Sequence, residues 1–197
     1  MPVDQDGLDV SRLPKTRGAV AYVTPSHQYP IGVTMSLQRR LELLAWATQY
    51  DAYIMEDDYD SDFRFIGSPL TALKGLDRNE RVIYLGTFSK ALSPQLRLGY
   101  LVAPPALYPK LLQAKQAADL HTPGFNQRVA HEVIRNGFLD THLPKVRVRY
   151  KAQRDAMEAS LERHLAGLAS WMRPVGGMFF WLELPDELDA VALLPQA

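Results

Sequence analysis

Two short polar clusters, each placed straight after an apolar run, hold the residue types that can do covalent chemistry here. Tyr53-Ile54-Met55 runs into Glu56-Asp57-Asp58-Tyr59-Asp60, and Val82-Ile83-Tyr84-Leu85 runs into Gly86-Thr87-Phe88-Ser89-Lys90, with Arg97 downstream. Lys90 brings a nucleophilic amine, and Ser89 and Arg97 bring a hydroxyl and a planar cation suited to a phosphate. Asp57 and Tyr59 add an anion and a phenol. Taken singly, any such Asp and Lys are more often an ion pair or two loop residues. Together they are the set that an aldehyde cofactor with a phosphate, a pyridinium nitrogen and a ring oxygen requires.

The elements that must position these groups can be read from the apolar pattern. Residues 19–23, 52–56, 82–85 and 99–103 are short apolar runs ended by Pro, Gly or polar clusters, and are expected to be strands. Leu37, Leu41, Leu44, Ala45 and Thr48 recur at helical spacing with Ser36 able to cap them. Strands apolar on both faces and separated by helices predict a mainly parallel sheet covered on both sides. In such sheets ligands bind beyond the carboxyl ends of the strands, where both polar clusters fall.

Further along, residues 106–118 and 125–136 are expected to be helices, the second closed by Asn136-Gly137. Pro144 is expected to precede a long helix with Val146, Tyr150, Met157, Leu161 and Leu165 as its apolar stripe, and Gly176-Gly177 to open a strand over residues 178–184. A boundary near residues 138–145 divides a large domain, 1–140, from a linking helix and the start of a small α+β domain, 141–197. Residues 1–15 are expected to be polar and turn-like. The abrupt start and end suggest a piece of a larger protein.

Composition narrows the function classes. Among 197 residues, 22 Lys and Arg balance 22 Asp and Glu, so the basic surplus of a sequence-independent nucleic-acid binder is lacking. With 47% hydrophobic residues the chain is too apolar for a disordered tail. It has no cysteine, which removes disulfides, thiolate zinc sites and cysteine nucleophiles. No signal peptide and no membrane-length apolar run is evident, so a cytoplasmic setting is expected.

Several apparent motifs fail on spacing. Asp58-x-Asp60-x-Asp62 begins like a calcium loop, but Phe63 and Pro69 stand where glycine and the bidentate glutamate are needed. His131-Glu132 begins like a zinc-protease helix, but Arg135 replaces the second histidine, and no metal site is expected. No Walker loop or dinucleotide fingerprint is present. The basic run Lys145, Arg147, Arg149, Lys151 and Arg154 is expected to be a solvated helix face.

Thr24-Pro25-Ser26-His27-Gln28-Tyr29-Pro30, Glu56-Asp57-Asp58-Tyr59-Asp60-Ser61-Asp62-Phe63-Arg64, Gly86-Thr87-Phe88-Ser89-Lys90 and Arg97-Leu98-Gly99-Tyr100 closely resemble fold-type I pyridoxal-phosphate enzymes. More narrowly, they are similar to the aminotransferase-like domain of MocR-type regulators in the GntR group. The resemblance runs over nearly the whole chain and covers about half of a complete aminotransferase unit. It implies an α/β fold: part of a mainly parallel sheet with flanking helices, followed by a partial small α+β domain. It implies pyridoxal phosphate as cofactor, with Lys90 as its Schiff-base lysine, Asp57 on the pyridine nitrogen and Tyr59 on the ring oxygen. Ser89, Arg97 and Thr87 would hold the phosphate. His27 lies in the loop where many aminotransferases place an asparagine near the cofactor oxygen.

Three functions follow from the resemblance. The first is an amine- or amino-acid-sensing domain of a homodimeric regulator, which touches DNA through a winged-helix domain absent from this chain. The others are a fragment of a metabolic class I/II aminotransferase acting on an amino acid, and a catalytically dead structural piece. The spacing of Tyr59, two residues after Asp57 rather than three, favours the regulator. The family's carboxylate-binding arginine would lie beyond Ala197, so the amine recognised is not legible.

Overall fold

The computed structural model describes residues 1–196; Ala197, the last residue of the expected second domain, lies outside them. The chain opens with a small antiparallel hairpin, β1 (Val3–Asp4) and β2 (Gly7–Leu8). The central sheet follows in spatial order β3 (Val20–Val23), β4 (Tyr53–Asp58), β5 (Val82–Thr87) and β6 (Gly99–Val102). The first three run parallel and β6 returns antiparallel to β5. The connections are α1 (Leu37–Gln49), between β3 and β4, and α2 (Leu73–Leu76), between β4 and β5. After the sheet come α3 (Tyr108–Asp119), α4 (Gly124–Arg135) and α5 (Phe138–Leu165). A two-stranded ladder, β7 (Ser170–Trp171) with β8 (Leu182–Glu183), and α6 (Ala190–Leu193) complete the order.

The α1 helix starts as its sequence demands: Ser36 accepts the Arg39 N–H at 3.3 Å. Its Leu43, Trp46 and Ala47 pack with Ala21, Val23, Ile54 and Val82 of the sheet. Large apolar side chains buried here contribute roughly 1.5–3 kcal/mol each. Under this core lies a buried polar hub. Arg40 donates to the carbonyls of Met35, Thr71 and Pro25 at 3.1, 3.2 and 2.9 Å. Glu56, at the centre of the sheet, accepts the N–H groups of Leu73 and Lys74 at 2.8 Å each, capping the start of α2.

The parallel core of the sheet and α1 match the sequence reading, and several expectations need correction. Among the described residues the sheet is not covered on both sides: all four residues of β6 are exposed, as are Val20 and Tyr22 on β3. Residues 1–15 are not merely turns, since Leu8 and Leu13 are buried in the core cluster. The α5 helix does not start after Pro144; it begins at Phe138 and runs through the proline. Phe138 stacks on His142, one turn on, with ring centroids 4.8 Å apart, which supports the turn that lacks the proline N–H. The boundary expected near 138–145 therefore falls on the opening turns of one continuous helix.

On α5, Leu161 is buried but Met157 is exposed. Arg154, expected in solvent, is buried; it donates to Pro174 O at 2.8 Å and to Asp155, and lies over the Phe65 ring. The strand expected over 178–184 shrinks to Leu182–Glu183. Just before it, Val175 O accepts the N–H groups of Phe65 and Ile66, so this segment joins the loop after β4 instead of extending a ladder. Among the described residues no helix is long and apolar enough to cross a membrane.

Candidate functional site

The parallel register puts the chemistry-bearing side chains together. Met55 on β4 pairs with Tyr22 on β3 and Ile83 on β5, and side chains alternate along each strand. Ile54 and Glu56 therefore face the α1 core, while Tyr22, Met55 and Asp57 face the opposite side. There a cavity of about 490 Å³ opens, lined by Asp57, Tyr59, Lys90, Tyr22, Tyr29 and Phe179 among others. This volume lies within the range of small-molecule sites.

Each group reaches the cavity for a local reason. Asp57 accepts a hydrogen bond from the Tyr22 hydroxyl on its Oδ2. Its neighbour Asp58 points the other way and ties down the surrounding loops, accepting from Ser26 Oγ at 3.1 Å, Ser61 Oγ at 2.8 Å and Tyr84 Oη at 2.7 Å. Tyr59, half-buried, donates to the His27 carbonyl at 3.3 Å. Burial first, and then the nearby Asp60, push its phenol above the ordinary range, so it stays a neutral donor.

Lys90 stands at the exposed rim, just past the carboxyl end of β5. The turn that carries it is closed at its base by Phe88 N–H to Leu98 O, 3.1 Å, and pinned by Ser89 N–H to Thr87 Oγ1, 3.1 Å. Arg97, exposed and in the left-handed region at φ 49°, ends the same turn.

Of the seven expected residues, Lys90, Asp57 and Tyr59 line the cavity. Thr87 ends β5, and Ser89 and Arg97 lie in the adjoining β5–β6 turn, all three outside that lining. The His27 ring is elsewhere. It is buried with Nδ1 2.9 Å from Asp60 Oδ1, and its Nε2 lies against Gly176, where a Cβ would stand only 2.3 Å away. This placement separates it from the cavity because the Asp60 carboxylate, on the loop after β4, captures the imidazole. The aromatic neighbour that does line the cavity is Tyr29, edge-on to Phe179 at 5.5 Å.

Sequence reasoning missed Tyr22, Tyr29 and Phe179. For Tyr22 the signal was parity: it shares a face with Asp57 once the two strands are set in parallel. Tyr29 stands in the loop Thr24 to Pro30, whose motif points to the site without distinguishing its side chain from that of His27. Phe179 carried no such signal, since its approach depends on the fold-back of the segment after α5.

The donor set fits pyridoxal phosphate: an amine at the rim for its aldehyde, a carboxylate for the ring nitrogen, a phenol for the ring oxygen, and a hydroxyl- and guanidinium-bearing turn next to the amine for the phosphate.

Comparison with known proteins agrees with this geometry. The family model for aminotransferase class I and II matches residues 10–195. An aromatic-amino-acid aminotransferase from Thermococcus litoralis is 40% identical over 206 residues, covering 100% of this chain and 49% of that protein. A probable rhizopine catabolism regulatory protein, MocR, from Rhizobium meliloti is 38% identical over 166 residues, covering 84% of this chain and 34% of that one. The crystal structure of LysN, an alpha-aminoadipate aminotransferase from Thermus thermophilus complexed with a phosphopyridoxyl-leucine, superposes with a TM-score of 0.92 at 39% identity, over 99% of this chain and 52% of its own. The chain thus spans about half the length of these enzymes, or less for the regulator. A match along nearly all of its residues, on a backbone this close to a solved relative, places the chain in the class I and II aminotransferase family, of fold-type I and with pyridoxal phosphate as cofactor.

Proposed function

We propose that this chain holds pyridoxal phosphate on Lys90 and uses it to capture an amine or amino acid, as the effector-sensing part of a MocR-type regulator of the GntR group. The observation that carries the chemistry is the gathering of Lys90, Asp57 and Tyr59 around one cavity at the carboxyl ends of parallel strands. When bound, the cofactor supplies an aldehyde that captures amines and a ring that withdraws electrons from the captured carbon.

The residues divide the remaining work. Lys90 gives the amine that anchors the aldehyde carbon. Lys90 Nζ, at the rim, would also be placed to move a proton to and from the carbon of a captured amine. Asp57 fixes a negative charge where a ring N–H needs a partner, keeping that proton in place. Tyr59, held un-ionised, donates to the ring oxygen. Thr87 at the end of β5, with Ser89 and Arg97 in the turn that follows, would hold the phosphate, Arg97 through its planar fork. The His27 backbone carbonyl holds the single Tyr59 hydroxyl proton in place, and a bound ring oxygen would take over that same proton.

Two observations support the sensing role over turnover: Tyr59 follows Asp57 by two positions, and a MocR regulator is among the relatives. In this reading the whole protein is a cytoplasmic homodimer that contacts DNA through a winged-helix domain. The second reading, a metabolic aminotransferase acting on an amino acid, is favoured by the 40% identity to the Thermococcus litoralis enzyme across the whole chain. The two part on one experiment. The cofactor-loaded protein is mixed with a panel of amino acids and a keto-acid acceptor, and both the near-visible absorbance and keto-acid release are followed. A sensor changes its absorbance with at most one equivalent of keto acid released. Sustained release over many turnovers would overturn the regulatory reading.

A further inference from the structure

Tyr22 lies in the exposed part of the sheet face, and nothing in the mechanism above uses it. As a residue it is 60% exposed, yet its hydroxyl is turned inward to Asp57 and donates to Oδ2. The two side chains meet because β3 and β4 are parallel, with Tyr22 opposite Met55 and Asp57 two residues further along the same face. That diagonal is roughly 8 Å between backbones, within reach of a tyrosine but of few other side chains.

We infer that Tyr22 is a positioning residue for Asp57: it holds one carboxylate oxygen so that the other meets the ring nitrogen of the cofactor. The inference rests on the reading of Asp57 as the ring-nitrogen partner. The hydrogen bond occupies Oδ2 and leaves Oδ1 for a second donor. It fixes the torsion of the carboxylate, which otherwise turns freely at the end of its strand. It also gives one oxygen a fixed charge-assisted partner, so the carboxylate presents its free oxygen in a set direction. The phenol can only donate in this pair, because burial and the neighbouring carboxylate push its own ionisation up to about 12.

The test separates an effect on the ring nitrogen from a merely structural one. The protein is freed of cofactor and reloaded with pyridoxal phosphate or with its deaza analogue, in which C–H replaces the ring nitrogen. Wild type, Tyr22→Phe, Asp57→Asn and the double variant are compared by equilibrium binding, with circular dichroism confirming the fold of each. Phe keeps the ring that lines the cavity and removes only the donor. Tyr22→Phe is expected to weaken pyridoxal phosphate roughly three- to tenfold and to leave the affinity for the deaza analogue within about twofold. Asp57→Asn should abolish the preference for pyridoxal phosphate, and with it the effect of Tyr22→Phe. Equal weakening of both ligands, or of neither, overturns the positioning role. An Asp57→Asn protein that retains the full preference instead overturns the pairing of Asp57 with the ring nitrogen, on which the inference depends.

Discussion

Replacing Glu56 by Gln probes the hub beneath the site while changing a single atom. In the wild type both carboxylate oxygens accept backbone N–H groups, from Leu73 and Lys74, at 2.8 Å, and Arg40 Nη1 lies 3.9 Å from Oε1. A glutamine keeps one acceptor and turns an NH₂ group toward the other N–H, so one amide proton loses its partner and Arg40 loses its nearest counter-charge. Hydrogen bonds to charged groups contribute roughly 1.5–3 kcal/mol, and removing a buried anion returns part of that, so a net loss of about 1–3 kcal/mol is expected. For a denaturant slope of about 2 kcal/mol per molar, the urea midpoint should fall by roughly 0.5–1.5 M.

The pH dependence gives a second reading of the same group. Burial, only partly offset by the two N–H donors, holds the Glu56 carboxyl above its ordinary value. Between that ordinary value and the raised one, the folded protein therefore binds more protons than the unfolded chain. Its contribution to stability is complete below the ordinary value and declines as pH climbs through the raised one. The Gln variant should lack this component. Glu42→Gln, at an exposed position paired with Arg39, is the control and should change stability by no more than about 0.5 kcal/mol. A Glu56→Gln midpoint no lower than that of the control, or an unchanged pH slope, would refute the assignment of Glu56 as the cap of α2.

Three further outcomes are expected. Lys90→Ala should abolish the near-visible absorbance of the loaded protein, and borohydride followed by peptide mapping should find no modified lysine; a label elsewhere in the wild type would refute the Schiff-base assignment. Gly176→Ala should cost about 1–3 kcal/mol in thermal or urea unfolding, because the new methyl meets His27 Nε2 at 2.3 Å and the Arg64 Cα at 2.9 Å, and a fully wild-type melt would show that the packing there is loose. Tyr59→Phe should raise the pH at which the lysine adduct loses its proton by about one to two units, since the phenol donor stabilises the deprotonated form; an unchanged or lowered titration would refute contact with the ring oxygen.

The strands that carry Asp57 and Lys90 were legible because each is a short apolar run ended by polar punctuation. The start of α1 was legible because Ser36 satisfies an orphan N–H by a purely local contact. What escaped depends on partners distant in sequence. The β1–β2 hairpin has strands of two residues, too short for any periodicity, and its Leu8 is buried as a member of a core cluster that reaches to residues as distant as Ile54 and Val82. Arg154 reads as a surface cation until the Pro174 carbonyl and the Phe65 ring supply its surroundings. His27 reads as a candidate for the cavity until Asp60, 33 positions away, takes its ring.

The antiparallel return of β6 has a consequence for how this site can change over evolution. A parallel successor to β5 would begin at the far end of the sheet, roughly 20 Å away along a six-residue strand. Because β6 runs back instead, pairing Gly99 with Thr87, the lysine and the arginine that follow β5 share one closed turn. An insertion between them cannot be absorbed in a remote crossover; it displaces both cations relative to Asp57 and to each other. Length variation among descendants of this sequence should therefore collect in the longer excursions, such as the one from β3 to α1, while the turn from residue 88 to 98 keeps its length even if activity toward amines is lost, as long as the cofactor is still held.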